Sequence, residues 1–570
     1  MQQEEQRGGS SSLPSVIGVL AKEAEYPAVM EFFELFKTPW EFYRNGAQYD
    51  VLICTGDRYP ENSAKLVLVF GAATKAFDRQ KGCGVGDELT NPVLVHSTGR
   101  IPIRGRCSTV VGLGTVVVTE ETSRQPAALE QAINGQRYVR FGFDIFQEIR
   151  YLLTHGQPVW YAAVPVIENH IALLRNLIVQ SAIVLVEIPP FPLGYSFIAC
   201  LTHDVDHPRI RNHRCDSTMF GFLYRATVGS LLDFVRERKS AADLATNWAA
   251  AVALPLVHLG LVKDFWRQFD HYLSIEKGLG STFFIVPERA NPGVGHEGRQ
   301  TTRRGVRYCV EELAEDLRRL VTAGCEVGVH GIDAWRDSTA GRLELKRISG
   351  PAGNEKLGVR MHWLFSNDQT HARLEEAGFA YDSTVGYNEA IGYRAGTSQV
   401  FKPLSARSML ELPMNIMDTA LFYPQKMNLS PELAWRAVML IVANAVRYGG
   451  VLTVNWHDRS LAPERLWGRF YLRLLDELKC RDPWFCTASQ AVAWFRTRRS
   501  VVFDDATRQG LTVRLSCLLY SDRANLPGLR VRVYNSLNGH SRSGSLNQGE
   551  VGFTDHALEP GNNVQINSDS

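Results

Sequence analysis

One stretch constrains this chain more than any other: Tyr195–His207, YSFIACLTHDVDH. Phe197 to Leu201 read as a buried strand, and strand side chains alternate between faces, so Thr202, Asp204 and Asp206 share one side. Ionised carboxylates are rarely fully buried unless they are paired or bind a metal. A buried strand that ends in two acids on one face is poor core, and it reads as one wall of a hydrolytic metal site.

At 570 residues the chain exceeds a single core, and two to four domains are expected. The formal net charge of +2, with no basic block interleaved with aromatics, argues against a nucleic-acid partner. The ten cysteines form no CxxC pair, which argues against a structural zinc knot. Cys54 and Cys200 sit in apolar runs as buried thiols would, and a reducing compartment is expected. The N-terminus lacks the layout of a signal peptide, and the longest apolar stretch, Trp248–Val262, is short for a bilayer and contains His258. It reads as a buried or interfacial helix. The expectation is a cytoplasmic protein with no transmembrane segment.

Residues 1–12 read as disordered. Residues 13–192 read as an α/β domain with strands at VIGVL, YDVLICTG, KLVLVFGA, PVLVHSTG and STVVGLGTVVVT, and helices at Phe143–Leu153 and near His170–Val179. The glycines of KGCGVGDE lack a strand–GxGxxG–helix context, so nucleotide binding is not expected. IPPFPLGY reads as a linker. Over 195–500 strands alternate with helices. YSFIACLTHD, GSTFFIVPE, CEVGVHG, LGVRMHWLF, FAYDSTVGY, MLELPMNIMD and GGVLTVNWHD are the strands. A helical insert spans roughly Thr218–Tyr272, and further helices fall at Glu311–Ala323, His371–Ala377, Pro431–Tyr448, Leu466–Lys479 and Ala488–Phe495. On the Glu311–Ala323 helix Leu313, Leu317, Leu320 and Val321 share a face, and Gly324 stops it. This rhythm predicts parallel pairing in a distorted (β/α)7-type barrel within an α/β chain. Residues 501–536 read as a β appendage and 537–570 as a disordered tail.

In such barrels reactive groups gather at the C-terminal ends of the strands. Asp204 and Asp206 end the first strand, His330 ends CEVGVH, Arg360 and His362 lie in GVRMHWL, Asp382 follows a short run, and His457 and Asp458 end VLTVNWHD. Carboxylate and imidazole donors suit Zn²⁺ or a similar divalent ion, with Co, Ni and Mn as alternatives. With a carboxylate to take a proton and a separate His to give one, this inventory fits hydrolysis of an amide or ester.

These residues resemble the polysaccharide deacetylase (NodB-homology) family over roughly Tyr195–Arg496. The family's first motif is matched by Thr202-His203-Asp204-Val205-Asp206 in an Asp-x-Asp form, its second begins at His330, its third aligns with Arg360-Met361-His362-Trp363, and its last is VLTVNWH. The resemblance implies Asp204 as general base, Asp206 and His330 as metal ligands, Arg360 as the group orienting Asp204, and His457 as general acid. YDST at Tyr381–Thr384 and YRAGT at Tyr393–Thr397 are similar to a branch that often carries an N-terminal α/β domain beside genes for surface polysaccharides. The family's second His ligand is replaced by Ala334. His362 is the first choice to complete the shell, ahead of Asp333, and of His203 and His207, which alternation turns away from the acids.

Blander roles stand beside these. Asp204 and Asp206 would pair with Arg209 or Arg211 in a structural network; Asp382 and Arg394 would form a buried ion pair or support the substrate. Trp363 and Trp456 would pack the barrel or form sugar platforms, and Asp458 would orient a loop or His457. The expected function is metal-dependent deacetylation, N-acetyl before O-acetyl, of a sugar in a surface polysaccharide or its precursor, with polysaccharide-assembly proteins as partners. Two alternatives are a C–N hydrolase of a small amide or imide, and a non-catalytic glycan- or partner-binding protein with a degraded metal site.

Overall fold

The computed structural model describes residues 16–57, 60, 64–295, 298, 300–507, 510–515, 526–534, 552–558 and 564–566. The stretch 1–12 lies outside them. Contacts divide the chain into two units: 1–155 with 166–193 and 494–570, and 156–165 with 194–493.

The first unit is built on a nine-stranded mixed sheet. Trp40–Phe42, Ile17–Leu20, Val51–Cys54, Leu66–Phe70 and Gln136–Phe141 run parallel, and Pro126–Ile133, Thr115–Glu120, Val93–His96 and Gly99–Pro102 continue it antiparallel. STVVGLGTVVVT is two strands, Cys107–Gly112 and Thr115–Glu120. The hairpin 126–141 escapes a propensity reading because Ala, Leu, Glu and Gln favour helix, and tertiary pairing overrides them. Its Asn134–Gly135 turn, with φ of 50° and 79°, carries the local hairpin signal.

Of the 501–536 stretch read as a β appendage, Val501–Thr507 pairs antiparallel with Gly510–Leu515. Leu529–Tyr534 pairs antiparallel with Leu185–Glu187 inside the first unit. The 537–570 stretch is not wholly irregular: Phe553–Leu558 pairs with Leu529–Tyr534, where Asp555 meets Arg530 and Arg532 at 3.0 and 2.8 Å, and Val564–Ile566 pairs with Gly510–Leu515. Its Ser/Gly/Asn-rich composition conceals these short strands. The remainder of that tail lies outside the described residues.

The second unit carries the acid-ended strand. We label its strands β1 Ile198–Val205, β2 Ser281–Ile285, β3 Glu326–Gly331, β4 Val359–Met361, β5 Ile416–Met417 and β6 Val451–Asn455. They pair in the order β4-β3-β2-β1-β6-β5, all parallel, with Trp484–Phe485 beside the start of β1. The gap between β4 and β5 is crossed by single bridges. Val359 bridges Asp382, and Asp382 bridges Glu411, on the segment that leads into β5. Ser383 N–H donates to the Val359 carbonyl at 2.9 Å and Leu412 N–H to the Asp382 carbonyl at 2.8 Å. Hydrogen bonding thus runs round seven segments, as the strand–helix rhythm predicts. FAYDSTVGY and most of MLELPMNIMD hold only isolated bridges where full strands were expected, because proline and polar residues interrupt them.

Every residue of β1 is buried. Between β3 and β4 runs helix Ser338–Ala352, capped by Asp337 accepting from Thr339 and Ala340 N–H groups. Ser430 caps Pro431–Tyr448, with Pro431 at its first position. The helix read at Glu311–Ala323 is regular over Ala314–Thr322; Leu313, Leu317 and Leu320 are buried, but Val321 is 44% exposed. The apolar stretch Trp248–Val262 is not a buried helix: within Ala241–His258 only Asn247, Ala250, Leu254 and Val257 are buried, while Val252 is 77% exposed. Among the described residues no helix is long and apolar enough to cross a membrane.

Closure beside β4 depends on one glycine. A Cβ on Gly358 would lie 2.0 Å from the Tyr381 ring, whose hydroxyl donates to Glu326 Oε1 at 2.7 Å. Gly358→Ala is therefore expected to cost about 1–3 kcal/mol by overpacking. Chemical denaturation of the two proteins measures it, and equal midpoints would show that Tyr381 does not seal this edge.

Candidate metal centre and active site

The seven segments deliver their polar groups to one end. Alternation along β1 places Thr202, Asp204 and Asp206 on one face, and the opposite face is spoken for. His203 Nδ1 donates to the Trp456 carbonyl at 2.7 Å and its Nε2 faces Glu276 Oε2 at 3.1 Å, so His203 is structural. His207, also expected to turn away, lines the cleft, but its Nδ1 is engaged with His213 Nε2 at 3.1 Å. Asp333 accepts from Val294 N–H and from Arg336, which occupies it elsewhere. Ala334 is fully buried in the core.

His362, standing just past β4, occupies the place these leave. Its Nδ1 lies 3.3 Å from Asp206 Oδ1 and 2.9 Å from His330 Nε2, and His330 Nε2 lies 3.4 Å from Asp206 Oδ1. His330 Nδ1 donates to the Arg360 carbonyl at 2.9 Å, which leaves Nε2 as the nitrogen facing Asp206. Asp206 Oδ1 is buried and accepts no hydrogen bond. Burial favours a neutral Asp206, but the two imidazoles beside it outweigh that and hold its carboxyl well below the ordinary range. Burial also pushes His362 below its ordinary value, toward the neutral ligand form. One carboxylate oxygen and two imidazole nitrogens, all within 4.8 Å of one another, fit a divalent ion of the zinc type.

Asp204 has different surroundings. Arg360 Nη1 donates to its Oδ1 at 3.0 Å and to Thr202 Oγ1 at 2.8 Å, and Asn455 Nδ2 donates to its Oδ2 at 2.7 Å. Arg360 is fully buried, its Nε and Nη2 donating to the Ser383 carbonyl and hydroxyl, its guanidinium over the Phe284 ring at 4.5 Å. Burial would raise the Asp204 carboxyl, but His330, Arg360 and His457 hold it below its ordinary value. Arg209 and Arg211 instead face Asp316 and Asp264, so the structural pairing considered for the two site acids is not made.

His457, just past β6, donates from Nδ1 to Asp418 Oδ1 at 2.6 Å, while Asp418 Oδ2 accepts from His457 N–H and from Ser460. Its Nε2 points inward, 3.9 Å from Asp206 Oδ2. Burial opposes its charge, but Asp418, Asp206 and Asp204 push its pKa up to about 10. Asp458 does not orient His457; it holds a loop, accepting from His207 and Arg459 N–H groups, and burial together with Asp206 pushes it up to about 7.

Asp206, His330, His362 and His457 line one cleft with Trp363, which is 39% exposed and, with Leu364, has positive φ (64° and 55°). Two consecutive left-handed residues without glycine are strained, and both stand in the lining of the cleft. Trp456 is wholly buried against Phe470 and Tyr471, and is packing only. Asp382 and Arg394 do not line the cleft and do not pair. Asp382 faces His371, and Arg394 donates to the Gln157 carbonyl over the Tyr387 ring.

Sequence reasoning passed over three groups. Asn455 lies two residues before His457 on the same strand edge, so alternation was a usable signal. Asp418 ends an apolar run as Asp204 does. Tyr423 had no signal: its hydroxyl accepts from Arg465 and Arg459, which outweigh burial and bring its pKa down to about 7.

No protein-family model and no curated protein matches this chain. Solved structures similar to it include a Mycobacterium smegmatis protein assigned as a polysaccharide deacetylase (18% identity over 55% of this chain and 96% of that one, TM-score 0.34). They also include the carbohydrate deacetylase Agd3 (8%, 97% and 99%, TM-score 0.36) and PuuE allantoinase (15%, 54% and 94%, TM-score 0.34). At such identities and overlaps the chemistry rests on the geometry of the site itself.

Because its folded pKa is raised from the ordinary 6.5 to about 10, His457 contributes stability that is fully present below pH 6.5 and lost as pH rises through about 10. In chelator-treated protein, the gap in unfolding free energy between wild type and His457→Gln is expected to shrink over that interval. A gap independent of pH would show that His457 is not held charged by Asp418.

Proposed function

We propose that this chain is a metal-dependent deacetylase that hydrolyses an acetyl group, N-acetyl before O-acetyl, on a sugar of a surface polysaccharide or its precursor. One observation carries the reading: the unpartnered Asp206 oxygen facing two imidazoles, with an ionised Asp204 on one side and a charged His457 on the other. Asp206, His330 and His362 would hold the ion, most simply Zn²⁺, which when bound polarises a carbonyl and lowers the pKa of water.

The chain's own groups divide the remaining work. Asp204 Oδ2, 3.9 Å from His330 Nε2, takes the proton from the attacking water. Arg360 and Asn455 fix that carboxylate and keep it ionised before the reaction. His457 Nε2 delivers a proton to the departing amine or alkoxide, so that water and an acetylated sugar yield acetate and the free amine or hydroxyl. Asp418 holds the His457 ring so that Nε2, not Nδ1, faces the cleft. The cleft, about 220 Å³, is below the usual 300–1,000 Å³ of drug-sized ligand sites and suits a small acetylated group. Arg303, Lys426, Arg459 and Arg465 in its lining favour a sugar that carries negative charge.

The seated His457–Asp418 pair argues against a purely glycan-binding role, which needs no poised acid. A small amide or imide remains the second reading, favoured by the size of the cleft. Acetate release from neutral and acidic acetylated oligosaccharides with added Zn²⁺ or Co²⁺ tests the proposal. Release is expected to fall at least about 100-fold in Asp204→Asn. Metal-loaded protein that releases acetate from no sugar but opens a small amide or imide would overturn it in favour of the second reading.

A further inference from the structure

A second cluster of donors lies one residue from Ser383, on the irregular segments that close the barrel and on helix Thr370–Ala377. Asp382 and Glu411 are both wholly buried. One oxygen of each is tied by the chain: Thr384 Oγ1 donates to Asp382 Oδ1 at 2.5 Å, and Val385 N–H donates to Glu411 Oε1 at 2.7 Å. The other oxygens, Asp382 Oδ2 and Glu411 Oε2, have no hydrogen-bond partner, and neither has His371 Nε2. These three orphaned atoms converge. His371 Nε2 lies 3.6 Å from Asp382 Oδ2 and 3.5 Å from Glu411 Oε2, and all three lie within 4.8 Å of one another.

Three buried polar atoms without partners form an expensive arrangement unless something sits among them. Separations of 3.5 and 3.6 Å are long for hydrogen bonds. They are close to the edge of a tetrahedron whose centre is about 2.0–2.1 Å from each corner, roughly 3.3–3.4 Å, which is how ligands of one zinc-type ion are spaced. The first cluster has similar edges of 3.3 and 3.4 Å around its one unpartnered atom, Asp206 Oδ1. In the second cluster the far oxygens of both acids are held by the chain, as groups supporting a metal usually are.

We propose that His371, Asp382 and Glu411 form a second divalent-metal site, separate from the one at Asp206. One nitrogen and two oxygen donors suit Zn²⁺, Mn²⁺ or Co²⁺ better than Ca²⁺ or Mg²⁺, which prefer oxygen alone. The rival occupant is a proton shared by the two acids, since burial and each other's proximity raise Asp382 well above the carboxylate range and burial brings Glu411 to about 7. A proton between the carboxyls would leave His371 Nε2 unmatched. An ion satisfies all three atoms at once. Its function is positional: it pins the segment whose Ser383 carbonyl and hydroxyl seat Arg360, which in turn holds Asp204.

The test is the zinc content of the purified full-length chain after chelation, reloading with Zn²⁺ and removal of the excess. Two equivalents per chain are expected, with Asp206→Asn and Glu411→Gln each losing one and not the same one. If Glu411→Gln fails to fold, His371→Ala, whose side chain is 15% exposed, replaces it. One equivalent in wild type, lost in Asp206→Asn and kept in Glu411→Gln with undiminished thermal stability, would overturn the second site in favour of the shared proton. Zinc lost only in Glu411→Gln would uphold it while removing the metal from the proposed deacetylase centre.

Discussion

The end of the barrel that holds the cleft is organised around one buried charge pair, Arg360 with Asp204. The guanidinium has no exposure, and it is matched by Thr202 and Asp204 on β1, by the carbonyl and hydroxyl of Ser383, and by the face of Phe284 on β2. Removing one member of such a pair typically costs about 3–5 kcal/mol, because the other is left charged and buried. The strands that meet there are therefore held in one relative position by electrostatics as well as by packing. Asn455, donating from β6 to the second oxygen of Asp204, extends the same fixation across the barrel.

With Asp204 fixed and ionised, the two acids of β1 stop being equivalent. Asp204 has every oxygen engaged by donors that preserve its charge. Asp206 has an oxygen left open toward His330 and His362. On the far side His457 is charged through Asp418. An anion able to take a proton, an open donor set and a poised cation within one cleft are the parts that hydrolysis of an acyl group needs, and β1, β3, β4 and β6 bring them together.

Much of this was legible because β-strand alternation is strict. The position of Thr202, Asp204 and Asp206 on one face, and of His203 on the other, follows from period two alone. The (β/α) rhythm placed His330, His362 and His457 at strand ends. What escaped was set by contacts between distant segments. Nothing local tells that Asp418, and not the adjacent Asp458, holds His457, or that Arg394 turns to Gln157 and leaves Asp382 to His371. The strands at 126–133 and 553–558 failed for the opposite reason: their composition favours helix or coil, and pairing partners far along the chain decide. His362, just past β4, comes within 3.3 Å of Asp206, while Ala334 is buried in the core.

In the proposed site Asp206, His330 and His362 together hold one catalytic ion while Asp204 stays with Arg360. Anomalous diffraction from crystals of the zinc-loaded protein, collected at the zinc edge, addresses it directly. A peak bonded to Asp206 Oδ1, His330 Nε2 and His362 Nδ1 is expected, with Asp204 still hydrogen-bonded to Arg360 and Asn455. Density bonded to Asp204, or no peak between the two imidazoles, would contradict it.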